Sequence, residues 1–95
     1  MMYKTTCKTI QEAMASTDWR DRFIGEYNYI SKNSLKLHIT CTKYAAGTLK
    51  FTPNCSLELL LMQLNAIDNY LNILKIRAFK ENINLHLKNE YEETK

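Results

Sequence analysis

The spacing of apolar residues in two proline-free stretches constrains this chain more than any other feature. From Trp19 to about Ala46 there is no proline and a single glycine, Gly25, which a helix tolerates. Apolar or small side chains recur there at Phe23, Tyr27, Ile30, Ser34, Leu37, Cys41 and Tyr44, in alternating steps of four and three. After Pro53 the same rhythm returns at Leu57, Leu60, Leu64, Ile67, Leu71, Leu74 and Ala78. Steps of this kind put one apolar seam along each helix. Two matching seams joined by a short connection predict an antiparallel two-helix hairpin, and hence an all-α fold. At ~1.5 Å rise per residue the first helix runs on the order of 40 Å.

The ends are marked as well. Asp18 before Trp19, with Asp21 in the first turn, suits a helix start. Gly47 suits the left-handed residue that closes a helix. Pro53 disfavours helix at Thr52, so the second helix begins near residues 54–56 and runs to about Asn82. Leu49 and Phe51, in the connection, are expected to tuck against the helix ends. Upstream, Thr9 and Glu12 have the spacing of a capping box, which predicts a short N-terminal helix through about Ala15. The expected organisation is an N-terminal segment over 1–17, a helical hairpin domain over 18–85 and an acidic, mobile tail over 86–95. Leu85 and Leu87 suit a short strand or docking segment.

The second helix carries more apolar surface than one partner helix covers. Beside its seam lies a further stripe, Leu59, Met62, Ala66, Tyr70 and Ile73, widened by Leu61 and Ile76. Leaving four or five large side chains in water forfeits roughly 1.5–3 kcal/mol each, comparable to the whole stability of a small domain. The remedy expected from the pattern is self-association into a helical oligomer. With 95 residues the chain is one domain at most, and its core needs such help.

Composition narrows the function. The chain is 45% hydrophobic and 24% charged, with two glycines and one proline, which excludes a disordered or turn-rich all-β protein. Net charge is +3, too mild for a dedicated DNA-binding domain. The bias is uneven: residues 19–80 carry nine Lys or Arg against four acids, a modest positive field that suits a small anionic ligand as well as an ordinary solvated surface. Cys7, Cys41 and Cys55 have no metal-ligand spacing, the N-terminus lacks the apolar core of a signal peptide, and no apolar run is long enough to span a membrane. These features predict a reduced, cytoplasmic protein with free thiols, no cofactor and no membrane partner.

Enzyme signatures are missing. There is no Gly-rich phosphate loop and no HExxH, and His38 and His86 are far apart in sequence with no ligand-spaced cysteine or carboxylate around them. The polar faces are more informative. On the first helix Tyr29, Lys32, Asn33, Lys36 and Lys43 lie away from the seam. Tyr29, Lys32 and Lys36 share one face, where a base can stack on the ring while a lysine reaches a phosphate. On the second helix Asn65, Asn69 and Asn72 form a stripe whose amides can both donate to and accept from a base edge. These eight residues are the candidate ligand-binding set. The competing reading makes them ordinary exposed helix residues. Duplex DNA is a poorer fit as a partner, because Glu26 and Asp68 interrupt the basic stripes and no helix-turn-helix spacing is present.

Three stretches carry a resemblance: Asp18-Trp19-Arg20-Asp21-Arg22-Phe23-Ile24-Gly25-Glu26-Tyr27, then Ala46-Gly47-Thr48-Leu49-Lys50-Phe51-Thr52-Pro53-Asn54-Cys55, then Gln63-Leu64-Asn65-Ala66-Ile67-Asp68-Asn69-Tyr70-Leu71-Asn72-Ile73-Leu74. Over about residues 18–85 the chain resembles a family of small helical proteins of gut bacteriophages, including crAss-like phages. The connecting loop is the most specific part of the match, and no catalytic role comes with it. In plan, though not in motif, the hairpin is similar to the phage anti-CBASS and anti-Thoeris nucleotide sponges. That likeness implies a non-enzymatic oligomer that takes up a host cyclic oligonucleotide or related immune signal in the cytoplasm of an infected bacterium. Two other readings remain open from the residues. One is an oligomeric interaction protein that blocks a host protein or assists phage assembly, and the other is a small nucleic-acid binder.

Overall fold

The computed structural model describes residues 1–89, and its elements are all helical: α1 Ile10–Met14, α2 Trp19–Ala46 and α3 Leu57–Glu81. Each helix begins on a side chain able to cap it. Thr9 Oγ1 accepts from the Glu12 amide at 3.1 Å, and Glu12 returns the bond to the Thr9 amide, completing the capping box. The Lys8 amide and then the Thr9 amide, both donating to the Glu12 carboxylate, hold that carboxyl below its ordinary range. Asp18 caps α2 through the Arg20 amide, and Ser56 caps α3 through the Leu59 amide. Gly47 (φ 74°) and Asn82 (φ 57°) close α2 and α3 in the left-handed conformation.

The two heptad seams are the buried faces of the long helices. Phe23, Ser34 and Cys41 on α2, and Leu64, Leu71, Leu74 and Ala78 on α3, are buried, and the intervening seam residues are half-buried. Polar contacts mark the pairing. Tyr70 donates to the Glu26 carboxylate, Ser34 donates to Asp68 at 2.8 Å, and Tyr44 donates to the Cys55 carbonyl at 3.1 Å. Partner positions on α3 and in the loop before it thus fall as those on α2 rise. Asp68 turns toward this seam and also meets His38 Nε2 at 3.1 Å.

The core is concentrated at one end, where the N-terminal part of α2 meets the C-terminal part of α3. Ala13, Phe23, Ile24, Leu74, Ala78, Ile83 and Leu87 form the buried cluster, with Tyr3, Cys7, Ile10, Tyr27 and Leu85 packed around it. Both terminal segments cross this end. Tyr3 and Ile83 form an isolated parallel bridge, with the Tyr3 amide 2.7 Å from the Asn82 carbonyl and the Asn84 amide 2.9 Å from the Tyr3 carbonyl. The Lys88 amide donates to the Cys7 carbonyl at 2.9 Å, and Asn28 Nδ2 donates to the carbonyls of Ile24 and Leu85. Residues 86–89 are therefore not the loose start of a tail: Leu87 is a core residue. The rest of the expected mobile tail, 90–95, lies outside the described residues. Phe51 also departs from expectation. Its ring stays 62% exposed, while Leu49 is half-buried.

One buried carboxylate latches the N-terminal segment. Asp21 accepts from Tyr3 Oη at 2.5 Å and Ser16 Oγ at 2.7 Å, and also from Thr5, which is itself fully buried. Burial pushes the Asp21 carboxyl up, but the bonds from Tyr3, Thr5 and Ser16 outweigh it and hold the group below its usual range. Alongside, Arg20 makes a two-point pair with Asp18, at 2.8 Å from Nη2 to Oδ2, and lays its guanidinium 3.9 Å from the Tyr3 ring centre. The Arg20 hydrogen bonds lower the Asp18 carboxyl to about 2.

Both carboxyl groups titrate lower in the folded chain than in the unfolded one. Their stabilisation is therefore present above the ordinary carboxylate pKa near 4 and is lost as pH falls through the folded values. Urea midpoints measured from pH 6 down to pH 2 should fall steeply below about pH 4, and Asp21→Asn should flatten that fall.

Candidate functional site

A groove of about 370 Å³ is lined by Tyr29, Lys32, Asn33 and Lys36 from α2, Thr9, Ile10 and Gln11 from the start of α1, and Leu87 from the C-terminal segment. The four α2 residues follow i, i+3, i+4 and i+7, which stacks them on one helix face. That face lies opposite the seam, so the groove opens on the side of α2 turned away from α3. A shallower hollow of about 430 Å³ adjoins it and shares Ile10, Lys32 and Leu87.

Gly25 explains why α1 stands close enough to form the second wall. A Cβ at this position would lie 2.8 Å from Met14 Cγ, 3.0 Å from Ala13 Cβ and 3.1 Å from the Met14 amide nitrogen. Two of these contacts are with groups that cannot swing aside. The glycine is therefore a contact surface and not merely a tolerated residue, and it lies two helical turns before Lys32 on the same face. Gly25→Leu should push α1 off α2 at a cost of roughly 1–3 kcal/mol. Amide exchange at Ala13 and Ala15 should rise about tenfold or more, with little change at the centre of α3.

The groove has the chemistry of a small-anion site. Among the described residues neither Lys32 nor Lys36 has a carboxylate within ion-pair reach. Two ammonium groups one turn apart offer point charges to phosphate oxygens, the Tyr29 ring (48% exposed) offers a stacking surface, and the amides of Asn33 and Gln11 can donate and accept. No group of three or more His, Cys, Asp or Glu among the described residues is placed to hold a metal ion.

The structure brings together four of the eight residues expected from the sequence: Tyr29, Lys32, Asn33 and Lys36. Lys43 is exposed in the last turn of α2, where its charge complements the helix terminus. Asn65, Asn69 and Asn72 are exposed on α3, on the side opposite its buried seam, and so do not reach the groove within one chain. Thr9, Ile10, Gln11 and Leu87 were not expected at the site. The available signal was Gly25, since a glycine inside a heptad helix can mark a close approach of another element.

The model of one protein family, Sequestin, matches residues 17–80, about two thirds of the chain. The chain belongs to the Sequestin family. No curated protein matches it, and no solved structure does. The Sequestin match opens one residue before the Asp18 cap and ends in the last turn of α3, so it contains both long helices and the loop between them. It includes the α2 wall of the groove but not Thr9, Ile10, Gln11 or Leu87. The expected resemblance over residues 18–85 covers nearly the same stretch. The family's name speaks of sequestration, and no helix among the described residues is long and apolar enough to cross a membrane.

Proposed function

We propose that this chain is a phage-encoded sponge: it binds a host cyclic oligonucleotide or related nucleotide signal in the groove between α1 and α2 and holds it without hydrolysis. The observation that carries this reading is the convergence of Tyr29, Lys32, Asn33 and Lys36 in one groove, with neither lysine in ion-pair reach of a carboxylate among the described residues. A ring for a base, two cations for phosphates and amides for a base edge match the parts of a nucleotide. The Sequestin family name agrees with sequestration. Uptake of a signal in the cytoplasm of an infected bacterium follows from the same reading, as does the lack of any enzymatic step.

The unit that does this is an antiparallel hairpin of α2 and α3 that self-associates. The contacts Glu26–Tyr70, Ser34–Asp68 and Tyr44–Cys55 support the hairpin. The outward side of α3 supports self-association, since Leu59, Met62, Ile73 and Ile76 are each more than half exposed. That same surface favours the second reading, an oligomeric interaction protein that blocks a host protein or assists assembly and has no small ligand.

A thermal-shift panel separates the two. Cyclic dinucleotides, cyclic trinucleotides, cyclic ADP-ribose isomers and linear nucleotides are each added at 100 µM. The sponge reading expects a rise of several degrees with at least one cyclic compound and little with mononucleotides. No shift with any of them, together with a host protein recovered in stoichiometric complex, supports the second reading.

A further inference from the structure

The outward side of α3 holds a second heptad series. Leu59, Met62, Ala66, Asn69, Ile73 and Ile76 are spaced by three, four, three, four and three, and all six are exposed. This is the spacing of a helix that packs against another helix, yet α2 occupies the other side. We infer that this face is completed by the same face of a second copy, running antiparallel about a two-fold axis between Ala66 and Asn69. The inference rests on the self-association proposed above and adds its occupant, direction and register.

The series is self-complementary when reversed. Leu59 then opposes Ile76 of the second copy, Met62 opposes its Ile73, and Ala66 opposes its Asn69. Large aliphatic side chains meet large ones, and the small methyl of Ala66 leaves room for the amide opposite. A two-fold interface requires this reciprocity, in which each residue pairs with the one that pairs with it. The two Asn69 side chains fall within about one helical turn of each other near the axis, where their amides can bond across it. A lone asparagine in an apolar seam costs stability but selects one register and orientation, because any other leaves it buried without a partner.

Charge selects the direction. Among the described residues of α3 the first turn carries Glu58, while Lys75, Arg77 and Lys80 lie toward the other end, with Glu81 after them. The antiparallel arrangement sets Glu58 of one copy within about a helical turn of Lys80 of the other, while Arg77 lies over the Phe23 ring of its own chain. A parallel one would crowd the basic groups of both copies together. On this arrangement Asn69 is a pairing residue, and the Asn65 and Asn72 amides border the interface. The groove on α2 faces away from it and stays open in both copies.

Disulfide mapping tests this in the full chain with Cys7→Ala and Cys55→Ser, leaving the buried Cys41. Leu59→Cys and Ile76→Cys are refolded together and singly, then oxidised mildly. The expected result is a dimer on light scattering, a disulfide in the mixture, and little in either variant alone. Ala66→Cys with Asn69→Cys should behave the same way. Asn69→Leu should tighten the dimer while allowing Leu59→Cys to cross-link with itself. A dimer in which Leu59→Cys already links to itself with Asn69 in place, or in which no mixed disulfide forms, overturns this register but leaves self-association standing. A monomer at 100 µM overturns both, and circular dichroism shows that each variant has kept its helices. Neither outcome bears on the nucleotide groove, which the thermal-shift panel reads separately.

Discussion

Replacing Asp21 with alanine should destabilise the fold by roughly 3–5 kcal/mol, because hydrogen bonds to a buried charge are worth more than neutral ones and their donors would be stranded. The side chain is 7% exposed and accepts from Tyr3, Thr5 and Ser16. Without it the N-terminal segment loses its tie to α2, and the bridge of Tyr3 to Ile83 loses support. For a small domain with on the order of 5–10 kcal/mol in total, this approaches half the stability or more. Urea unfolding followed by circular dichroism measures it. Asp18→Ala, which removes a partly exposed cap, should cost much less. A loss under 1 kcal/mol for Asp21→Ala would mean that the terminal segment is held by apolar packing alone. Because the same segment supplies Thr9, Ile10 and Gln11, the latch and the groove are linked, and Asp21→Asn should weaken ligand binding without touching the ligand.

Lys32→Ala with Lys36→Ala should lower nucleotide affinity by about 100-fold or more, since two charge-assisted bonds to phosphate contribute roughly 1.5–3 kcal/mol each. Both side chains are exposed, so the melting temperature should change little. Isothermal titration with the best compound of the panel gives the affinity. Raising salt should reduce wild-type binding and have a smaller effect on the double variant. Lys43→Ala is the control: its charge lies beyond the groove, in the last turn of α2, and affinity should stay within about twofold. Equal losses from Lys43→Ala and from the groove pair would indicate a diffuse field and no defined site.

The helix limits and the two seams were legible because local chemistry sets them. Asp18, Gly47 and Ser56 act within one turn of their own position, and a seam repeats often enough to show its period. What joins distant segments was not legible. Leu85 and Leu87 read as a short docking segment, but alternation over so few residues does not say which surface Leu87 enters. Asp21 reads as a first-turn acid facing a helix dipole, and only the arrival of Tyr3, Thr5 and Ser16 makes it a buried latch. The groove was half visible for the same reason. Tyr29, Lys32, Asn33 and Lys36 share a helix and reveal themselves by spacing, while Thr9, Ile10, Gln11 and Leu87 are brought there by tertiary packing. The Asn65, Asn69 and Asn72 stripe was legible as a face, but the neighbour of a face is not a local property.

We propose that the chain holds a nucleotide signal and does no chemistry on it, and recovery of a bound ligand tests this most directly. The chain is loaded with the tightest binder of the panel, freed of excess by gel filtration, kept for a day at 25 °C and then denatured with heat. Mass spectrometry of the supernatant should return the compound unchanged in mass and retention, in stoichiometric amount for the number of grooves, from wild type but not from Lys32→Ala with Lys36→Ala. Recovery of a hydrolysed product, or of no nucleotide at all from the wild-type chain, would contradict the account.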